Sequence, residues 1–137
     1  MQQKQYARAE LLKGKAILIM EDDQFISRAY TKWLKAAGAS ILEAHDGAHG
    51  LALADQEKVD FILLDLGMPG MNGYEALKHI RNNEKTKDVP VLVMTNTTMD
   101  ESRDGYEEIM SLGVVGIRRK FETSLQELID LITRNIT

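Results

Sequence analysis

The chain reads as an α/β domain: a doubly wound sheet of five parallel strands with helices on both faces. Short runs rich in Val, Ile and Leu alternate with longer stretches whose apolar residues recur at helical spacing, which is the βα pattern. The runs are apolar nearly throughout, as in ILLDL, so they need cover on both faces, and right-handed crossovers then yield a parallel sheet. With 137 residues, 44% of them hydrophobic, there is material for one domain with a sizeable core.

In chain order, the first strand is expected at 16–20 (AILIM), followed by the acidic triplet Glu21-Asp22-Asp23 and a helix at 24–37. A strand at 40–44 (SILEA) and a helix at 48–56 come next, separated by the turn dipeptide Asp46-Gly47. The third strand, 59–64 (VDFILL), precedes Asp65, and a helix at 74–82 starts after Asn72-Gly73. The fourth strand, 89–94 (VPVLVM), leads to Thr95 and a helix at 101–112. The fifth, 114–119 (VVGIRR), leads to Lys120 and a helix at 125–136, with Leu125, Leu128, Ile129 and Ile132 on one face. Gly38 and Gly113 stand where a helix C-terminus takes a left-handed residue.

A formal charge of −4 and the lack of any basic block argue against direct nucleic-acid binding. There is no cysteine, so disulfides and thiolate metal sites are excluded. The start, MQQKQYARAELLKGK, is too polar and interrupted for a signal peptide, and no apolar run approaches the roughly 18 residues of a membrane span. A cytoplasmic protein is expected, with 1–14 as an extension or linker containing a short helical stretch at 7–13, and 15–137 as the domain.

Ligands of parallel α/β sheets collect at the carboxyl ends of the strands. There the sequence puts Glu21, Asp22 and Asp23, then Asp65, Thr95 and Lys120. Taken singly, an acid before a helix is usually a cap and a lysine after a strand is usually solvated. Taken together, they would crowd three or four carboxylates, a cluster that a cation or strongly shifted pKa values must offset, and a metal is the simpler answer. Oxygen ligands with no His or Cys nearby point to Mg²⁺ or Mn²⁺ rather than zinc. Such a metal suits phosphoryl transfer, with Asp65 as nucleophile, Lys120 neutralising the phosphoryl oxygens and Thr95 donating a hydrogen bond.

The segments IMEDD, LLDLGMPGMNGYEAL, VLVMTN and GIRRK, in that order, resemble the signatures of response-regulator receiver domains of two-component signalling, over about residues 15–136. The most specific piece is DLGMPGMNG, an aspartate followed by Met-Pro and then Gly at this spacing. The resemblance implies a flavodoxin-like (βα)5 sheet of strand order 2-1-3-4-5, and a signalling domain that promotes only its own phosphorylation and dephosphorylation. It implies Asp65 as phosphoryl acceptor, Lys120 as the ion-pairing lysine, Thr95 as the hydroxyl that shifts toward the phosphate, and Gly67 as the donor of a backbone carbonyl to the metal. Aligned from the end of AILIM, Glu21 and Asp22 form the acidic pair, Asp22 binding the metal directly and Glu21 through water, which leaves Asp23 to cap the first helix. A shift by one residue would promote Asp23. The implied partners are a histidine kinase or phosphotransfer protein as donor, and a downstream protein or a second copy that reads a changed surface on the fourth helix, fifth strand and fifth helix.

The chain departs from that pattern at Phe121, where the family usually has proline, and at Ile117, where it usually has an aromatic residue. Asn96 replaces a small residue, and Arg118-Arg119 puts two charges in a strand, so at least one must reach an edge or an acidic partner. Trp33 is expected to pack with Tyr30. His45, His49 and His79 show no metal spacing and read as surface residues, and Met68, Met71, Met94 and Met99 read as pliable filling near the site. Alternatives are a receiver segment of a hybrid histidine kinase or larger regulator, and a phosphorylation-independent binding module. An aspartyl-phosphate hydrolase would need a second aspartate two residues after the nucleophile, where Gly67 stands.

Overall fold

A computed structural model of the chain describes residues 11–96 and 105–136. Its elements are β1 (Ala16–Met20), α1 (Gln24–Ala36), β2 (Ser40–Ala44), α2 (Gly47–Gln56), β3 (Phe61–Asp65), α3 (Gly73–Arg81), β4 (Val91–Thr95), α4 (Tyr106–Ser111), β5 (Gly116–Arg119) and α5 (Leu125–Asn135). The strands form one parallel sheet in the order β2-β1-β3-β4-β5, the doubly wound order expected. Residues 101–104 of the expected fourth helix and Met99 lie outside the described residues, as do residues 7–10 of the short helical stretch, whose remainder forms a turn.

The period-two alternation of each strand divides the core between the two faces of the sheet. Ile17, Ile19, Phe61, Leu63, Leu92 and Met94 pack with Tyr30 and Leu34 of α1 and with Leu128, Ile129 and Ile132 of α5. Leu18, Met20, Ile62, Leu64, Val91 and Val93 pack with Ala54 of α2, Ala76, Leu77 and Ile80 of α3, and Ile109 of α4. Leu12, from the turn before β1, is buried in the first cluster and donates its N–H to Ala37 O at 2.9 Å, so the packed unit begins before Lys15. Asp23, Asp46, Asn72 and Ser124 each cap a helix through side-chain oxygen.

Three strands differ from expectation at their ends, β5 beginning at Gly116 rather than Val114. β3 begins at Phe61 rather than Val59, and β4 at Val91 rather than Val89, because Asp60 turns its carboxylate to the Ala16 N–H (2.8 Å) and Pro90 has no N–H to offer a ladder. At the other end Asp65 and Thr95 are the last ladder residues rather than the first loop residues, paired in register with Met94 and Arg119. Both side chains are thereby fixed by the sheet.

The helix that follows Asp65 is seated directly on it. Gly73 donates its N–H to Leu66 O at 3.1 Å, and a Cβ there would lie 2.6 Å from Leu66 Cα and on top of the Asp65 carbonyl. Gly50 of α2 also faces a crowded spot, but its neighbours are side-chain atoms of the buried Met20, from Cγ to Cε, rather than backbone. Gly73→Ala should therefore cost roughly 2 kcal/mol or more, since backbone has to move. Gly50→Ala should stay within about 1 kcal/mol of wild type, because helix propensity offsets a shifted methionine. Urea denaturation of both variants checks the contrast.

Candidate functional site

Four strand ends converge at the carboxyl edge of the sheet. Glu21 follows β1 directly and continues its pairing, its N–H donating to Ala44 O at 2.9 Å, so its side chain is held at the top of the sheet and only 4% exposed. Asp65 ends β3 and is 3% exposed. Lys120 follows β5, with its N–H on Thr95 O at 2.8 Å. Its buried ammonium lies 2.7 Å from Glu21 Oε1 and 3.1 Å from Asp65 Oδ1.

The remaining predicted residues frame this triangle. Asp22 is exposed, yet one of its carboxylate oxygens lies within 4.8 Å of oxygens of Glu21 and Asp65. Asp23 points away and caps α1, accepting from Phe25 N (2.9 Å) and Ile26 N (3.2 Å) while its own N–H donates to Glu21 Oε2 at 3.1 Å. Thr95 is buried at the end of β4, the strand beside Asp65. Gly67 donates its N–H to Asp65 Oδ1 at 3.0 Å, so it is seen through its amide, whereas its carbonyl was the expected contributor.

Charge explains the protonation pattern. Burial pushes the Glu21 carboxyl up to about 7; Lys120 and the Asp23 amide pull against that, and Asp65 adds to it. Burial acts on Asp65 in the same direction but is outweighed by the Gly67 amide, by hydrogen bonds shared with Glu21 and Asp22, and by the Lys120 ammonium, so its pKa lies below the ordinary value. Burial likewise opposes the charge on Lys120, and the two carboxylates outweigh it and raise its pKa. The two carboxyls are thus pushed apart, Glu21 toward its neutral form and Asp65 toward its ionised form. Three converging carboxylates against one ammonium leave a deficit of positive charge, and the donors are all oxygen, which fits a hard divalent cation.

Two features around the site went unread in the sequence. His45, expected on the surface, is half-buried. The short β2–α2 connection brings its Nδ1 to 3.0 Å from Glu21 O, just past the carboxyl end of β1; since a carbonyl only accepts, Nδ1 carries the proton. Phe121, beside Lys120, stacks on Tyr30 with ring centroids 5.3 Å apart, and Trp33 stands edge-on to both rings. The charges of Arg118 and Arg119 reach water because β5 is an edge strand, and Arg119 meets Glu122 at 3.2 Å. Met68 and Met94 are buried close to the site, as filling.

The family model described as "Response regulator receiver domain" matches residues 17–133. Protein PilH of Pseudomonas aeruginosa is 38% identical over 88 residues, 64% of this chain and 71% of that protein. Regulator of RpoS of Escherichia coli is 34% identical over 121 residues, 88% of this chain but 34% of that protein, so the chain spans about a third of that relative's length. Among solved structures, chemotaxis protein CheY4 of Vibrio cholerae is similar at a TM-score of 0.79 and 28% identity, over 89% of this chain and 98% of that one. The receiver domain of a P. aeruginosa sensor histidine kinase, with a magnesium ion coordinated in its active-site cleft, is similar at 0.78 and 25%, over 88% and 96%. The chain belongs to the response regulator receiver domain family, a class of two-component signalling domain. Among the described residues no helix is long and apolar enough to cross a membrane.

The raised Glu21 pKa has a thermodynamic consequence. Its folded value, about 7, lies above its ordinary value of 4.5, so its contribution to stability is full below about 4.5 and is lost as pH rises through about 7. In chelator, Glu21→Gln should match wild type at pH 5 and exceed it at pH 8 by on the order of 1 to 3 kcal/mol. Urea denaturation at the two pH values measures it; equal differences at both would mean that Glu21 does not hold the proton.

Proposed function

We propose that this chain is a cytoplasmic phosphoryl-accepting switch of a two-component system. Asp65 is the acceptor, Glu21, Asp22 and Gly67 with Asp65 form a magnesium site, and Lys120 and Thr95 attend the phosphoryl group. The observation that carries this reading is the buried triangle in which Lys120 Nζ reaches Glu21 at 2.7 Å and Asp65 at 3.1 Å at the strand ends.

The chemistry is displacement at phosphorus. An Asp65 carboxylate oxygen forms the new O–P bond, the P–N bond of a donor phosphohistidine breaks, and the departing imidazole nitrogen keeps the bonding pair and takes a proton. Asp65, held below the ordinary carboxylate range, is ionised at neutral pH and needs no base. Lys120, already beside Asp65, neutralises charge on the incoming oxygens, and the Thr95 hydroxyl at the end of β4 donates to one of them. Asp22 would hold the metal directly, Glu21 through water and Gly67 by its carbonyl. The ion, magnesium or manganese, supplies neutralisation of the transferring group.

The phosphorylated carboxylate adds charge where β3, β4 and β5 end, which biases the packing of α4, β5 and α5. A histidine kinase or phosphotransfer protein is the donor, and a protein partner or a second copy reads the α4–β5–α5 surface. The magnesium-holding kinase receiver and the relative of which the chain spans about a third support one variant, a receiver that is one segment of a hybrid kinase or larger regulator.

Incubation with acetyl phosphate and Mg²⁺ should add one phosphoryl mass to the wild type, none to Asp65→Asn, and none to either in excess chelator. Intact mass reads all four, and no gain in the wild type would leave a binding module that works without phosphorylation. Lys120→Ala should slow the gain by about 10- to 100-fold and Thr95→Ala by about tenfold, as expected for charged and neutral donors to a transferring group. Wild-type rates in both variants would remove these two residues from the chemistry.

A further inference from the structure

We infer that Tyr30 is a positioning residue for Lys120, acting through the Lys120–Phe121 turn; the inference rests on the role just proposed for Lys120. Lys120 leaves β5 into a tight turn closed by the Glu122 N–H on Arg119 O at 3.2 Å. The third position of that turn is Phe121, with φ at 64°, the one non-glycine residue with positive φ among the described residues. Turns of this kind call for Gly or Asn there, and a bulky side chain persists only where its surroundings over-determine it.

Tyr30 supplies that determination from α1, far away in sequence. Its hydroxyl accepts the Phe121 N–H at 3.1 Å, and its ring lies flat on the Phe121 ring, with planes 4° apart. Trp33 stands edge-on to Tyr30 at 5.4 Å and to Phe121 at 6.0 Å and closes the cluster. Phe121 itself is 47% exposed, so burial alone does not account for its conformation, while Tyr30 is 4% exposed and anchored in the core. A stack and a hydrogen bond thus bear on the residue next to Lys120, whose ammonium has to land between two carboxylates. A loosened turn would leave the lysine present but poorly aimed.

The test is a double-mutant cycle on acetyl phosphate phosphorylation, read by intact mass, with Mg²⁺ affinity measured alongside. Tyr30→Phe keeps the ring and removes the hydroxyl; Phe121→Gly relieves the backbone conformation and removes the stack. Each should lower the rate constant at saturating acetyl phosphate about fivefold, the size of one net hydrogen bond, with Mg²⁺ affinity not reduced. On a Lys120→Ala background neither should slow the reaction further, because both act through that lysine. Wild-type rates in both variants, full multiplication with Lys120→Ala, or a parallel loss of Mg²⁺ affinity would each overturn the inference and leave the phosphoryl-acceptor reading intact. A wild type that gains no phosphoryl mass would overturn that reading, and this inference with it.

Discussion

The ammonium of Lys120, shared between the buried carboxylates of Glu21 and Asp65, is the contact on which the arrangement of the whole edge depends. Neighbouring strands lie about 4.8 Å apart, so β5 stands roughly 10 Å from β3 and further still from β1, with β4 between. The long side chain of Lys120, just after β5, spans that distance to reach Asp65 and Glu21. Thr95, buried, ends the intervening strand. Buried ion pairs rarely stabilise a fold, since desolvation of the charges offsets their attraction. Here the cost shows in Glu21, which holds its proton up to about 7.

The core offsets that cost. β3 and β4 are buried along their whole length and send alternate side chains into clusters on the two faces, so the sheet is held from both sides. Asp65 belongs to that rigid layer and not to a loop. Around it the backbone is close-packed as well, with the Gly67 amide on its oxygen and Gly73 against its carbonyl. The spacing of the DLGMPGMNG segment thus has two separate physical reasons: an amide that holds a carboxylate, and a helix start with no room for a Cβ.

Much of the fold was legible because its signals are local. Strand runs, helical periodicity and caps depend on residues a few positions apart, and the expected strands and helices appear at the expected places. The ends of β3 and β4 were misplaced for an equally physical reason. Asp65 and Thr95 look like loop residues by polarity, but the ladder continues through them because the neighbouring strand supplies partners. The acidic register was read as Glu21 and Asp22 with a one-residue shift to Asp22 and Asp23 left open, and the oxygen of Asp23 is committed to the amides of α1, as the first register expects.

By itself the sequence determined the class of fold, the strand-end positions whose side chains come together and the membership that their motifs announce, because each rests on short-range pattern. The tertiary structure alone decided that the two buried carboxyls are pushed in opposite directions, that His45 meets the Glu21 carbonyl, and that Tyr30 grips the turn after Lys120. Those are contacts between residues far apart in the chain, and their energies depend on burial and orientation, quantities that exist only once the sheet has assembled.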